Sequence, residues 1–283
     1  MQFHKLTFDD YQVFKKYSGK DINYENSFIT VYIWSKVYET FMAIEDDCMY
    51  LYSIMEGICE FDPPTCPNSF LLKWIDNCVA YSKQMHNKYH ITILQHQYEY
   101  LQSINSSLKF EQCLWKQDYI YKIDDLSEFK GSKLQSKRNL WYQFNDKYKY
   151  EFLPYNNDYD ALKAFLEELK KDSDRDLLEK LDLLALENLT KFGLECFILY
   201  INKQIAGFCI FKREETSVEI VFEKANTKYQ GVYAALVKLE AEKNTDKIYM
   251  NRQDDLGIEG LRRSKKSYNP IRIIDKYIMV DPT

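Results

Sequence analysis

Three runs rich in β-branched and aromatic residues, ECFILYI (195–201), IAGFCIFKR (205–213) and SVEIVFEK (217–224), are separated only by NKQ and EET. Connectors this short favour antiparallel hairpins, so the stretch predicts a three-stranded meander. The next two segments narrow the fold further. QGVYAALVKLEAEKN (230–244) carries a helical pattern and KIYMN (247–251) that of a strand. A helix between two strands is the connection a parallel pair requires. A meander continued by such a crossover gives a mixed sheet with helices on its faces.

The flanking segments fit that layer. FLPY (152–155) reads as a strand, and DYDALKAFLEELKK (158–171) and DRDLLEKLDLLALENLTKFG (174–193) as helices, the second closed by Gly193. LGIEGLRRSKKS (256–267) reads as a further helix and IRIIDKYIMV (271–280) as one last strand. The first half repeats the order: a hairpin in 40–55, a long helix in 66–87 with Pro67 near its start, a strand in ITILQ (91–95), a short helix, then KFEQCLW and DYIYKI as closing strands. No residue-level repeat accompanies it. The expectation is an α/β chain of two related domains, residues 1–131 and 148–283, joined by a junction helix at 132–147.

Composition excludes several classes. Apolar residues make up 46% and charged ones 29%, the balance of a globular chain. No run of about 18 apolar residues predicts a membrane span, and MQFHKLTFDDYQ lacks the apolar core of a secretory signal. A cytoplasmic setting is expected, with the seven cysteines, none in a CxxC, as free thiols. The net charge of −5 arises largely within 151–191, so no stable nucleic-acid complex is expected. His86 and His90 are four apart, but His90 falls in a strand, so no metal site is expected.

The chemistry-bearing candidates cluster late. EIVFEKANTKYQGVYAAL (219–236) runs from strand through loop into helix, and a helix N-terminus is a natural anion site. Gly231 opens the backbone there, and Asn226, Lys228 and Gln230 add donors; a glycine needed for helix–sheet packing explains the position equally well. Four residues apart on one strand, Glu219 and Glu223 share a face, either able to serve as a base. In NRQDDLGIEGLRRSKKSYNP (251–270), Asn251 ends the parallel strand, Asp254 or Asp255 caps the next helix, and Gly257 and Gly260 let that helix approach closely. Arg262, Arg263, Lys265 and Lys266 point in several directions, so only some can face a site. Tyr268, just beyond, is a candidate general acid.

This order of elements resembles the GNAT acyltransferase fold, in which the loop after the fourth strand cradles an acyl-coenzyme A pyrophosphate. The whole chain resembles more specifically a bacterial family of uncharacterised proteins sharing the phosphatidylglycerol lysyltransferase C-terminal domain, a tandem GNAT-like arrangement. DYIYKIDDLSEFKGSKLQSKRNLWYQF (118–144), with Gly131, Lys133 and Lys137-Arg138-Asn139, carries the likeness, as does KYQGVYAAL continuing to NRQDDLGIEGLRRSKKSYNP. The resemblance implies an acyl or aminoacyl transferase with an amine or hydroxyl acceptor. The donor, an acyl-CoA or an aminoacyl-tRNA, would sit at Asn226, Lys228, Gln230, Gly231, Val232 and Tyr233. Asn251, Asp254, Asp255, Gly257, Arg262, Lys137 and Arg138 would line the cleft. Two positions depart from the acyl-CoA pattern: Lys228 stands where Gln or Arg is usual, and Tyr233 where a small residue is. The departure suits an aminoacyl donor, or a binding protein that has lost coenzyme A.

Overall fold

The computed structural model describes residues 1–18, 22–170 and 176–282. They form two compact units, Met1–Asp118 with Ile274–Thr283, and Tyr119–Ile273. In the first unit the strands lie in the order His4–Lys5, Glu39–Glu45, Cys48–Met55, Ile58–Phe61, Lys88–Leu94, Lys276–Val280, Glu111–Gln112. Ile58–Phe61 and Lys88–Leu94 pair in parallel, and the others antiparallel. The helix Leu71–Gln84 makes that crossover and buries Leu71, Trp74, Ile75 and Cys78, the stripe its sequence spacing demands. Trp74 stacks on Tyr50 at 5.6 Å and donates its indole N–H to the Met49 carbonyl at 3.2 Å. The indole thereby buries its area without stranding its one polar group.

The second unit repeats the pattern: Arg272–Ile274, Asp118–Lys122, Tyr249–Asn251, Ser217–Ala225, Gln204–Arg213, Leu194–Ile201, Tyr150–Pro154. The expected meander is present, and Ser217–Ala225 pairs in parallel with Tyr249–Asn251 across the helix Val232–Lys243. Successive residues of Gln204–Arg213 serve opposite faces. Cys209 and Phe211 join the core shared with Val232–Lys243 and the helix Gln135–Lys147, whereas Phe208 meets Phe165 of the helix Tyr159–Lys170. The mixed α/β sheets flanked by helices are thus as expected.

The division between units is not. DYIYKI, expected to close the first half, pairs instead with Tyr249–Asn251 in the second sheet. IRIIDKYIMV is two strands, Arg272–Ile274 in the second sheet and Lys276–Val280 in the first. Each sheet is completed from the opposite half of the sequence, and the expected boundaries at 131 and 147 fall inside the second unit. Alternating apolar residues require a buried face but do not say which edge a strand joins. Asp275 makes the break: its carbonyl accepts from the Gln95 N–H at 3.1 Å and its carboxylate from Gln112 at 3.0 Å.

Lys276 secures the exchanged strand. Its Nζ lies 2.5 and 2.6 Å from the two oxygens of Glu25 and 2.8 Å from Asp118 Oδ2, all three residues being buried. Two carboxylates face one ammonium. Burial, reinforced by Asp118, outweighs the lysine and pushes the Glu25 carboxyl up to about 7 from 4.5. A carboxyl raised in the folded state contributes stability that is complete below its unfolded value and is lost as pH climbs through the folded one. Relative to Glu25→Gln, the wild type is therefore expected to lose about 3 kcal/mol of stability between pH 4 and pH 8. Urea unfolding of both proteins across that range reads the difference; parallel curves would remove Glu25 as the titrating group.

Candidate functional site

The parallel pair in the second unit opens into a wedge. Pairing runs from Ser217–Tyr249 to Glu219–Asn251 and stops, while the longer strand continues to Ala225. Arg252, the first residue past the shorter strand, spans the gap, its Nη2 lying 2.9 and 2.7 Å from the two oxygens of Glu223. The ends of parallel strands are where open α/β sheets receive ligands, because the backbone there lacks a neighbour.

The charged stretch at 251–270 builds this corner. Asp255 is fully buried and accepts from Tyr119 Oη at 2.7 Å, Arg262 Nε at 2.8 Å, Arg262 Nη2 at 3.0 Å and the Gly257 N–H at 3.0 Å. Burial works against its charge, yet these donors hold the carboxyl below its usual range. Lys265 Nζ donates to the carbonyls of Arg252 (2.5 Å), Gln253 (3.2 Å) and Asp254. The basic run thus divides: Arg262 and Lys265 tie down the loop carrying Arg252, while Arg263, 77% exposed, and Lys266 face solvent. Neither aspartate caps the helix Glu259–Lys266, whose cap position is Ile258; Asp254 and Asp255 close turns onto the Leu256 and Gly257 N–H groups. Gly257 adopts φ +72°, which its turn requires, whereas Gly260 has open space where a Cβ would stand, so it is not a point of close approach.

Around Arg252 the environment is aromatic and buried. Its side chain is 9% exposed, its guanidinium lies 5.0 Å from the Tyr268 ring and 5.9 Å from Tyr121, and Nε and Nη1 have no hydrogen-bond acceptor among the described residues. Lys137 Nζ sits 4.0 Å over the Tyr268 ring. Burial raises the Tyr268 phenol well above its ordinary value, so it stays protonated at neutral pH. Glu240, fully buried on Val232–Lys243, is raised by burial and by the Glu223 charge. A buried guanidinium whose Nε and Nη1 have no acceptor among the described residues can donate to a carbonyl or oxyanion.

The two candidate bases separate. Glu223 lies opposite Cys209, but a bulge at Val221 shifts the register so that Glu219 lies opposite Lys212. Cys209 and Lys212 point to opposite faces, and so do the two glutamates; the even spacing that predicts a common face fails because a bulge inserts one residue. Glu219 accepts from Gln253 Nε2 at 2.8 Å, and Asn251 Oδ1 from the Gln253 N–H at 2.7 Å.

The loop at 226–233 is occupied by its own chain. A Cβ on Gly231, at φ +81°, would lie 2.7 Å from the Leu140 carbonyl oxygen, so here the glycine lets Val232–Lys243 pack against Gln135–Lys147. The Gln230 N–H donates to Tyr148 Oη at 3.2 Å and its side chain to Gln143 at 3.0 Å. Asn226 and Lys228 both reach Glu168 (3.2 and 3.1 Å), Val232 is core, and Tyr233 Oη accepts from the Ala225 N–H at 3.3 Å. Gly231→Ala is expected to destabilise the fold by about 3 kcal/mol through combined backbone strain and overpacking. Gly260→Ala, with room for its methyl, should instead stabilise by about 0.5–1 kcal/mol. Denaturant midpoints at unchanged slope test both.

Arg138 also serves structure, donating to the carbonyls of Phe129 and, at 3.3 Å, Gly131. Arg252, Tyr121 and Glu240 complete the site without having been singled out in the sequence. Arg252 alone left a trace there, as a basic residue directly after a predicted parallel strand. A hollow of about 450 Å³ lined by Asn157 and residues 186–191 contains none of these groups. Among the described residues no cluster of three or more His, Cys, Asp or Glu is arranged to hold a metal. No helix of the described residues is long and apolar enough to cross a membrane.

Comparison with known proteins gives the family and the fold. Residues 19–280 match the family described as phosphatidylglycerol lysyltransferase, C-terminal. A conserved protein of unknown function from Bacteroides thetaiotaomicron VPI-5482 is 26% identical and superposes with a TM-score of 0.86 over 99% of both chains. L-PGS from Bacillus licheniformis is 14% identical, with a TM-score of 0.63 over 97% of this chain and 92% of that one. An uncharacterised protein of Mycoplasmoides gallisepticum is 28% identical over 182 residues, 57% of this chain and 55% of its own. The chain thus spans about half the length of that curated relative. The architecture is that of tandem GNAT proteins.

Proposed function

The chain belongs to the phosphatidylglycerol lysyltransferase C-terminal family, and on that premise we propose that its second unit transfers an acyl or aminoacyl group to an amine or hydroxyl acceptor at the wedge beside Arg252. The observation that carries this reading is the buried guanidinium, fixed at Nη2 by Glu223, with no acceptor for Nε and Nη1 among the described residues. Acyl transfer passes through a tetrahedral intermediate whose oxygen gains a full negative charge. A preorganised cation in a dry site stabilises that charge more than the neutral carbonyl it came from. Attack by the acceptor forms the new bond to the carbonyl carbon, the oxyanion rests on Arg252, and collapse expels the leaving group. The Tyr268 phenol, kept protonated by burial, is suited to give the leaving oxygen or sulfur its proton.

Glu223 acts in this scheme by orienting Arg252, since both its oxygens are engaged. The donor is better read as an aminoacyl-tRNA than an acyl-CoA. The helix start that would cradle a pyrophosphate is packed by Leu140, Gln143 and Tyr148. The direct test offers the purified protein total aminoacylated tRNA and, separately, acetyl-CoA. Release of the labelled aminoacyl group to an added amine or to lipid vesicles is then measured. Donor-specific transfer supports the reading. No turnover with either donor, together with binding to one, would make the protein a binding module instead.

A further inference from the structure

We infer that Lys137, brought to Tyr268 by the helix Gln135–Lys147, is the group that takes the proton from the acceptor; the inference rests on the transferase reading above. An acceptor hydroxyl or neutral amine must lose a proton, and the carboxylates nearest the wedge are committed. Glu223 is held at both oxygens by Arg252, and Glu219, on the opposite face, is bonded by Gln253. Lys137 differs from both. Its Nζ lies over the Tyr268 ring at 4.0 Å with no carboxylate within ion-pairing distance among the described residues, and Arg252 contacts the same ring at 5.0 Å.

An ammonium set beside a second cation and partly removed from water is disfavoured relative to the free amine. Burial, and after it the Arg252 charge, lowers the value of Lys137. Lys137 faces Arg252 from the wedge loop and Tyr268 beyond Glu259–Lys266, and the titratable groups around that pair are Tyr121 from Asp118–Lys122, Glu223 from the long strand, and Glu240 and Tyr233 from Val232–Lys243. Glu223 is already bound by Arg252. Glu240 is raised by burial and by the Glu223 charge, against the pull of Arg252. Glu223 partly offsets the nearest cation, so burial is the larger cause of the lowered Lys137 value and the Arg252 charge the smaller.

The step balances. The neutral Lys137 amine accepts a proton as the acceptor nitrogen or oxygen bonds to the carbonyl carbon. The bond to the leaving group breaks as Tyr268 protonates it. The Lys137 ammonium then returns its proton to the Tyr268 phenolate, restoring both groups without any external reagent. Lysine, lowered by desolvation and a neighbouring cation, is among the side chains suited to this work.

Two measurements test it. The first labels the whole protein with acetic anhydride across pH and reads each lysine by peptide mass spectrometry. Lys137 is expected to label at lower pH than the exposed Lys266, and a midpoint no lower than that of Lys266 overturns the inference. The second compares Lys137→Arg with the wild type in the aminoacyl-tRNA transfer assay. Arginine keeps the charge but cannot act as a base. The variant should therefore transfer about 10²–10³-fold more slowly and lose the acid limb of the wild-type pH–rate profile. A variant with wild-type rate and profile overturns the role of Lys137 while leaving the transferase reading intact. A wild type that transfers nothing from either donor instead defeats the transferase reading, and the labelling experiment still decides whether Lys137 is a free amine.

Discussion

Replacing Arg252 by glutamine is expected to slow acyl transfer by about 10²–10³-fold, the loss typical when one preorganised oxyanion donor is removed. The substitution also strands Glu223, so a fall in activity could follow from a disturbed core. The double variant Arg252→Gln/Glu223→Gln separates the causes, because two amides can hydrogen-bond across the same gap without charge. Its denaturant midpoint should recover relative to the single variant while its rate stays low. If the double variant transfers within about threefold of the wild type, roughly 0.7 kcal/mol in barrier height, Arg252 holds the wedge together and takes no part in the chemistry. Single-turnover measurement with labelled aminoacyl-tRNA is the suitable readout, since it isolates the chemical step from product release.

The largest effect on stability is expected at Lys276. Lys276→Met leaves Glu25 and Asp118 buried without a cation, and breaking a buried pair by removing one partner costs about 3–5 kcal/mol. Lys276–Val280 lies between Lys88–Leu94 and Glu111–Gln112, so the penalty falls on a strand paired on both sides within the first sheet. Urea unfolding should show a lower midpoint. The triple replacement Lys276→Met/Glu25→Gln/Asp118→Asn should recover most of the loss, because no charge is then left unpaired. A Lys276→Met protein within about 1 kcal/mol of the wild type would mean that the triad is solvated and that strand pairing alone holds the exchange.

Periodicity made the elements legible. The meander at 195–224, the crossover helix and the parallel strand at 249–251 follow from connector lengths and apolar spacing, and those signals are local. The first half shows the same order for the same reason. Pairing is a different matter. DYIYKI and IRIIDKYIMV have the pattern of buried strands, yet nothing within them identifies the sheet they complete. That choice is made by partners more than a hundred residues away, such as Asp118 for Lys276.

The site was read to a similar depth. Tyr268, Glu223 and the stretch at 251–270 were visible as candidates because polar, aromatic and glycine residues interrupt an apolar pattern there, and Lys137 was visible through the family resemblance. Their roles were not. Glu219 and Glu223 look equivalent at a spacing of four, and one bulge at Val221 puts them on opposite faces. Gly231 looks like an opening for an anion, and the Leu140 carbonyl fills the space.

The chain by itself determined the kind and order of its elements and the family it resembles, because hydrophobic period, connector length and turn chemistry act over a few residues. Only the tertiary structure decided which strands complete each sheet, which glutamate meets Arg252, and that Lys137 and Arg252 share one tyrosine ring. Each of these depends on groups far apart in sequence whose burial, charge and register are settled together.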